Sequence, residues 1–249
     1  MVHKKILPIV FWVLLWQAVS MWIAQDLILV SPCAVGLRLL ELMQEASFWK
    51  SILFSASRIL GGFFLAAGIG ILAAITAARF AWCRALLTPM TAAIKATPVA
   101  SFIILALFWF SSEWLSVLIS FLMVFPLIYA NVLQGISDMD KQLLEMGQVF
   151  ALSYGKKIRY LYAPQVFPYL RAAFATGLGM CWKAGTAAEV IGIPDGSIGE
   201  RLQEAKIYLQ MPDLFAWTVV IIVVSLLVEK VILWLLDWCD RSNKRGAFW

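Results

Sequence analysis

The sequence is poor in charge and almost without histidine, and both shortages restrict what it can be. Of its 249 residues, 14% are charged and 62% are hydrophobic, and the mean hydropathy is +0.85. A soluble domain is about 25% charged and about 45–50% apolar, because its surface must be covered with polar groups. The single histidine, His3, lies at the terminus, which excludes a histidine-centred catalytic or metal site. Lipid is therefore the expected solvent of this chain.

Paired cysteines and a nucleotide-binding loop are also missing. The four cysteines are scattered, without the spacing of a zinc or redox motif, and are interpreted as small apolar side chains. The segment Gly155-Lys156-Lys157 has Phe150 where the first glycine of a phosphate-binding loop would stand, and no Ser or Thr follows Lys156. We therefore expect no cofactor in this chain, and any ATP must be bound by another polypeptide.

Long apolar runs are abundant, and six of them reach the ~20 residues that a helix needs to cross the hydrocarbon layer. The first follows Lys4-Lys5 and is too long for the apolar part of a signal peptide, so we expect it to be retained. No run shows the alternation of a barrel strand, which predicts an all-α polytopic membrane protein with six transmembrane helices. Pro89 and Pro98 fall within the third run, where neighbouring helices can satisfy the freed carbonyls. The six predicted spans are 6–24, 51–78, 87–110, 115–134, 171–191 and 214–236.

Lysine and arginine are unevenly distributed across these spans. With the N-terminus inside, the internal segments carry twelve Lys and Arg and the external segments carry four. Cytoplasmic segments are enriched in basic residues, so both termini are predicted to be cytoplasmic, including a tail over 238–249. Orientation in the bilayer thereby explains the net charge of +5 without any nucleic-acid partner. The internal set includes Lys4, Lys5, Arg241, Lys244 and Arg245.

Two external segments contain helix signals. Ser31-Pro32 is typical of an N-cap followed by the first helical residue, and it predicts a helix on the outer interface. This helix and the first span form the unit 1–50. Residues 192–213 begin with a turn-rich stretch of glycine and proline, and a short polar helix is predicted over 200–209.

The longest internal segment, 135–170, has the pattern of two short helices around a tight turn. Its first half has helical periodicity with one apolar face. Ser153-Tyr154-Gly155 interrupts this pattern, a second amphipathic stretch runs to Pro164, and Pro168 is expected to open the next span. The apolar face needs a partner; the alternative is an interfacial helix whose basic residues meet lipid headgroups. The apolar positions of the first half are Leu143, Leu144, Met146, Val149, Phe150 and Leu152.

This segment resembles the cytoplasmic loop of binding-protein-dependent ABC transporter permeases. Their signature is Glu-Ala-Ala, three residues, Gly, nine residues and then Ile-x-Leu-Pro. Glu145 and Pro164 match it strictly, whereas Ala151 replaces the glycine and resists the positive φ that glycine allows. At the other positions, Met146 and Gly147 stand for the two alanines, Leu161 for the isoleucine and Ala163 for the leucine.

The resemblance extends from about Ser31 to Asp237 and is closest to the nitrate/sulfonate/taurine branch of these permeases. Residues 51–71 look like that branch's Ser-x-x-Arg-x-x-x-Gly-Phe stretch, with Ser55 or Ser57, then Arg58, Gly62-Phe63 and Gly68 in place. Residues 86–102 resemble its proline-rich third span. Residues 175–192 resemble its fifth span, with Trp182 and Glu189 as in the pattern, and 196–199 stand where the branch has Gly-Leu-Gly.

The resemblance implies the permease of a type I importer in the bacterial plasma (inner) membrane. Its transmembrane domain would cover 51–237. Two permeases, expected to be a homodimer surrounded by membrane lipid, would form the pathway, and an extracellular or periplasmic binding protein would deliver substrate. The loop would dock on a cytoplasmic ABC ATPase dimer that carries the ATP and Mg, so this chain would be a transport subunit and not an enzyme. The implied coupling residues are Glu145, Gly147, Ala151, Ser153, Tyr154, Gly155 and Pro164.

Three ionisable residues lie within predicted spans: Lys183 and Glu189 in the fifth and Lys95 in the third. An ionised residue near mid-bilayer costs about 2.5–3.5 kcal/mol, so such residues tend to face an interior or an aqueous path. Lys183 and Glu189 are six residues apart and do not share a helix face. The hypothesis is that Lys183 lines the pathway and favours an anion; the alternative is a buried pair or a position near the interface. The candidate pathway residues are Lys183, Glu189, Thr97 and Ser101.

Other readings of the sequence stay open. The importer could serve another substrate class, such as amino acids, metals or vitamin precursors. A membrane scaffold without transport is a second alternative, and binding of an ATPase to 143–164 would separate it from the permease. An intramembrane enzyme would need a catalytic constellation at one depth, for which the chain offers little. Small residues at 61–74 are interpreted as helix-packing surfaces.

Overall fold

The computed structural model describes residues 3–25 and 27–245, and within these ranges it contains helices and connecting turns but no β-strand. The side chains of Lys4, Lys5, Arg241, Lys244 and Arg245, which enter the orientation count, and the last four residues of the predicted tail lie outside the described part. The helices are α1 (His3–Ile23), α2 (Pro32–Leu42), α3 (Ala46–Arg79), α4 (Ala81–Ala96), α5 (Val99–Ala106), α6 (Ser112–Ser137), α7 (Lys141–Val149), α8 (Tyr154–Lys157), α9 (Ala163–Gly192), α10 (Ile198–Ile207) and α11 (Met211–Arg245), with a π-helical segment Ile158–Tyr162 before α9.

Several helices have the dimensions of membrane spans. By length and apolar composition, α3, α6 and the Met211–Asp240 part of α11 are each able to cross a bilayer. They contain the second, fourth and sixth predicted spans. The described apolar part of α1, Val10–Ile23, is shorter. The fifth predicted span lies within α9, whose 30 residues extend about 45 Å at a rise of 1.5 Å per residue.

The third predicted span is not one helix, and this expectation was wrong. α4 and α5 are bent relative to each other by 100° at a break of two residues. Pro98 has no N–H to donate, and its ring disfavours the helical conformation for the residue before it. Thr97 accordingly has φ −82° and ψ 131°, which is extended. Pro89, by contrast, lies inside α4 without ending it.

The start of the fifth span also differs from the expectation. Pro168 was expected to open it, but α9 begins at Ala163 and continues from α8 through the π-helical segment. Pro164 is the second residue of α9 and directly follows the π-helical segment. The second helix of the predicted pair is therefore the beginning of the long helix.

The centre of the fold is α6, which packs along both α3 and α9. Gly62 of α3 lies against Val117 and Gly70 lies against Ile128, so α3 and α6 run in the same direction. In α9, Gly177 lies near Phe63 and Val124, whereas the later Gly185 lies near the earlier residues Ile59 and Ser120. α9 is therefore antiparallel to α3 and α6. Because α3 and α6 are parallel, the chain must return between them, through the stretch that holds α4 and α5. The prediction of packing surfaces at 61–74 is confirmed at Gly62 and Gly70, whereas Gly61 and Gly68 face open space.

Ion pairs fix α11 along this bundle. Near its start, Asp213 pairs with Arg38 of α2. Near its other end, Asp237 accepts from Arg171 of α9 at 2.6 and 3.1 Å. The bundle thus has one end with α2 and α10 and an opposite end with α7. The two predicted outer helices are confirmed as helices, with Ser31 as the N-cap of α2 and α10 beginning two residues before its expected start.

Candidate functional site

The predicted coupling segment folds as a helical hairpin over 141–162. α7 begins after Asp140, whose side chain accepts a hydrogen bond from the backbone N–H two residues later, at 2.8 Å. The helix ends where Ala151 takes a left-handed conformation, with φ 46°. The Leu152 N–H donates to the Gly147 carbonyl at 3.2 Å, and the Ala151 N–H donates three residues back at 2.9 Å. This pair of bonds is a Schellman motif, so Ala151 adopts the conformation usually held by glycine.

The two arms of the hairpin meet at Gly147. This residue is buried, and a Cβ there would overlap Leu161 Cδ1 of the π-helical segment. A second contact closes the base, where the Asp140 N–H donates to Gln165 Oε1 at 2.7 Å. π-Helical turns are rare and occur frequently at functional sites. Gly147 is therefore part of the contact between the two arms, and neither Gly147 nor half-buried Pro164 belongs to the exposed surface of the hairpin.

The exposed surface of the hairpin includes a group of apolar side chains. Val149 is 82% exposed and Tyr154 is 77% exposed, and Met146 and Phe150 are exposed beside them. Exposed apolar patches of this kind mark interaction sites. The other predicted coupling residues that are exposed are Glu145, Ala151, Ser153 and Gly155.

Lys183 lies on the free face of α9. The opposite face, with residues such as Trp182, is buried against α3 and α6, whereas Lys183 is exposed. Within the described part of the chain, no carboxylate forms an ion pair with Lys183. The exposed and half-buried positions around it on α9 are small or neutral: Thr176, Gly179, Met180 and Ala187.

The break between α4 and α5 contains the other predicted pathway residues. Lys95 and Ser101 are exposed, and half-buried Thr97 donates its hydroxyl hydrogen to the Ala93 carbonyl at 2.8 Å. α5 packs on the Lys183 half of α9, through Ile103 and its neighbours against Ala184, Ala187 and Ala188. The broken helix and Lys183 thus belong to neighbouring parts of the fold.

Glu189 occupies a different environment. Its side chain is fully buried and joins three helices to the start of α10. Ser55 Oγ of α3 donates to it at 2.6 Å and Ser116 Oγ of α6 at 3.1 Å. The Gly199 N–H faces the same carboxylate at 3.4 Å, and the Ile198 N–H donates to Ser55 Oγ at 2.9 Å. These contacts stabilise the junction of the bundle with α10, and they leave Glu189 without access to a passing solute in this structure.

Sequence reasoning singled out Glu189 but not this cluster. Ser55 and Glu189 are 134 residues apart, and Ser116 and Glu189 are 73 apart. A buried carboxylate requires hydrogen-bond donors, and this need, together with the serine of the 51–71 stretch, could have prompted a search for serines on the other helices. Gly199 was noted only as part of the turn-rich stretch and of the segment 196–199, which stands where the branch has Gly-Leu-Gly. Among the described residues, no group of three or more His, Cys, Asp or Glu is arranged to hold a metal ion.

Comparison with known proteins agrees with the resemblance to transport permeases. Residues 66–245 match the model of a family described as the binding-protein-dependent transport system inner membrane component. This match covers more than half of the chain and includes the hairpin, the broken helix, Lys183 and Glu189 with Ser116 and Gly199, whereas Ser55 lies before it.

Individual relatives are named as transport permeases. The chain is 25% identical over 230 residues to a protein named as an aliphatic sulfonates transport permease, SsuC, of Bacillus subtilis, covering 91% of this chain and 82% of the relative. It is 24% identical over 220 residues to the taurine transport system permease protein TauC of Escherichia coli, covering 86% and 80%. It is 23% identical over 201 residues to the bicarbonate transport system permease protein CmpB of Synechococcus elongatus, covering 80% and 72%.

Proposed function

The chain belongs to the family of binding-protein-dependent transport system inner membrane components, and we propose that it forms the translocation pathway of an ATP-driven importer. It is a multi-pass protein of the bacterial plasma membrane. In this proposal it crosses the membrane six times with both termini in the cytoplasm, works as a homodimer, and binds no nucleotide itself. A separate ABC ATPase dimer binds ATP and Mg, and an external binding protein supplies the substrate.

The exposed apolar surface of the 141–162 hairpin is the observation that carries the proposal. Met146, Val149, Phe150 and Tyr154 are uncovered at the end of the bundle that is predicted to be cytoplasmic. Their burial in a groove of the ATPase would be favourable by about 25 cal/mol per Å² of apolar surface. ATP can drive the permease only through contacts that differ between its two states. The hairpin continues through the π-helical segment into α9, so a movement of the hairpin would move α9 directly.

Co-purification from native membranes tests this coupling. The wild-type chain is expected to retain a stoichiometric ATPase in mild detergent, and Val149→Asp is expected to lose it because a charge would be buried in the interface. Ile207→Asp is the matched control, because Ile207 is 68% exposed at the opposite end of the bundle. Recovery of the wild-type chain without any ATPase would contradict the permease function and favour the scaffold. Retention of the ATPase by Val149→Asp would contradict the role of this surface.

We further propose that the substrate is a small anion and that Lys183 lines its pathway. An unpaired lysine on lipid costs about 2.5–3.5 kcal/mol, which favours a position facing water between two copies of the chain. The small residues around Lys183 leave room for a solute there. The relatives named for sulfonates, taurine and bicarbonate support a substrate that carries an anionic group.

Uptake by Lys183 variants tests the pathway. Cells expressing the transporter are supplied with labelled sulfonates, taurine and bicarbonate, and the substrate accumulated by wild type is followed. Lys183→Met is expected to reduce uptake at least about tenfold, which corresponds to 1.4 kcal/mol, whereas Lys183→Arg keeps the charge and is expected to retain uptake. Lys206→Met, which removes an external lysine, is the control. Wild-type uptake by Lys183→Met would refute the pathway role without affecting the ATPase result.

A further inference from the structure

A small pocket lies at the end of the bundle opposite the 141–162 hairpin. It has a volume of about 160 Å³ and is enclosed by α2, α10 and the first turns of α3 and α11. Its floor is apolar and buried, and the rings of Phe48 and Trp217 lie there with centroids 5.0 Å apart. Leu42 and Ala205 complete the floor.

The rim of the pocket is charged, and each of its two arginines forms an ion pair with a carboxylate. Arg38 is paired with Asp213 and also donates to Glu41 outside the pocket at 2.7 Å. The hydrogen bond to Asp213, followed by that to Glu41, raises the pKa of Arg38 above its ordinary value, so the guanidinium stays charged. Arg201 donates to Glu204 at 3.0 Å. Both guanidinium groups thus already have carboxylate partners.

The carboxylates of the rim outnumber these two arginines. Glu45, Glu204 and Asp213 give the rim a net charge of −1. Glu45 accepts from the Ser47 hydroxyl at 2.9 Å, and both residues are exposed. A carboxylate has about four lone-pair sites, so these groups retain acceptor capacity for an incoming donor. The rim therefore favours a cation over an anion.

The size and the floor of the pocket indicate what kind of cation it takes. Pockets for drug-sized solutes measure about 300–1,000 Å³, so this one suits a single side chain better. Aromatic rings attract ammonium and guanidinium groups, and an apolar floor suits the methylene stem that carries such a group. The surface beside the pocket includes exposed Met43, Trp49 and Tyr208, residue types that are enriched in protein interfaces.

We infer that this pocket is a socket for one Lys or Arg side chain on the docking face of the external binding protein. The inference rests on the proposed function, including the orientation that places α2 and α10 outside. The family description itself requires a binding protein, and the acidic rim with its aromatic floor complements a basic anchor. Arg38 and Arg201 hold the carboxylates in position, and the incoming side chain binds to their free oxygens.

Photo-crosslinking identifies the occupant. Ser47 lines the pocket, is uncharged and is exposed, so p-benzoylphenylalanine is introduced there and living cells of the native host are irradiated. The expected product joins this chain to an extracytoplasmic solute-binding protein, and peptide mapping is expected to place the link beside a Lys or Arg. A link to a segment without a basic residue, or to a phospholipid, would overturn the inference; the phospholipid product would assign the pocket to the membrane surface.

Charge reversal tests the chemistry with the binding protein identified in this way. The transporter complex is purified with its ATPase, and stimulation of ATP hydrolysis is titrated with the binding protein. Glu204→Lys and Glu45→Lys are expected to raise the half-saturating concentration about tenfold or more, because like charges then face each other. Asp195→Lys is the control, since Asp195 is exposed at the same end but does not line the pocket.

A compensating substitution, together with the presence of the ATPase in the wild-type preparation, distinguishes failure of the socket from failure of the proposed function. Replacing the mapped Lys or Arg of the binding protein by Glu is expected to restore stimulation of the Glu204→Lys complex. Unchanged half-saturation in both Glu→Lys variants would overturn the socket while leaving the permease function intact. Absence of any ATPase in the wild-type preparation would instead overturn the proposed function itself, before the socket variants are compared.

Discussion

Gly199→Ala is expected to break the junction between α10 and the bundle. A Cβ at Gly199 would lie 2.5 Å from Val190 N and would overlap the Cβ and the carbonyl carbon of Glu189. These atoms belong to the last turn of α9, so no side-chain rotation can make room for the added methyl group. The methyl group fits only if α10 moves away from α9, which also separates the Glu189 carboxylate from the donors around it.

The expected cost follows from both effects. Overpacking of a closed contact costs about 1–3 kcal/mol, and each hydrogen bond lost contributes about 0.5–1.5 kcal/mol. The free energy of unfolding is therefore expected to fall by about 3 kcal/mol or more. For a chain of this size, that corresponds to a decrease of about 6–12 °C in the midpoint of thermal unfolding.

The measurement is thermal unfolding of the purified protein in detergent, combined with hydrogen exchange of the 193–199 amides. Gly68→Ala is the matched control, because a Cβ at Gly68 meets nothing within 4 Å, and this variant is expected to gain about 0.5–1 kcal/mol from helix propensity. Exchange at Ile198 and Gly199 is expected to accelerate in Gly199→Ala alone. Equal midpoints and equal exchange in the two variants would refute the role assigned to the Glu189 cluster.

Two further substitutions test local features. Ala151→Gly is expected to stabilise the 141–162 hairpin by about 1 kcal/mol, since glycine holds a left-handed φ without the strain that alanine bears; slower hydrogen exchange at residues 147–152 would show it, and faster exchange would contradict it. Tyr129→Phe is expected to leave the thermal midpoint unchanged or raised, because the buried Tyr129 hydroxyl has no hydrogen-bond partner in the described part of the chain. A fall of several degrees in that variant would reveal a partner that the structure lacks.

Local rules of sequence were sufficient for much of the fold. The lengths of the apolar runs predicted the regions of α3, α6, α9 and α11, because a helix must be long and apolar to lie in lipid. Ser31-Pro32 predicted the start of α2, since an N-cap and a first-turn proline act within a few residues. The same locality explains the failure at Thr97-Pro98: a proline can bend a helix or break it, and only the packing of α5 on α6 and α9 decides which.

What the sequence alone determined is that this chain is helical and lies in the membrane, because composition and periodicity are properties of neighbouring residues; its resemblance to transport permeases predicted the family. The tertiary structure decided which side chains meet. It brought Ser55 and Ser116 to Glu189, turned Lys183 to the free face of α9, and formed the pocket between α2 and α10. Those contacts join residues far apart in the chain, and they are fixed by how whole helices pack, which no local pattern specifies.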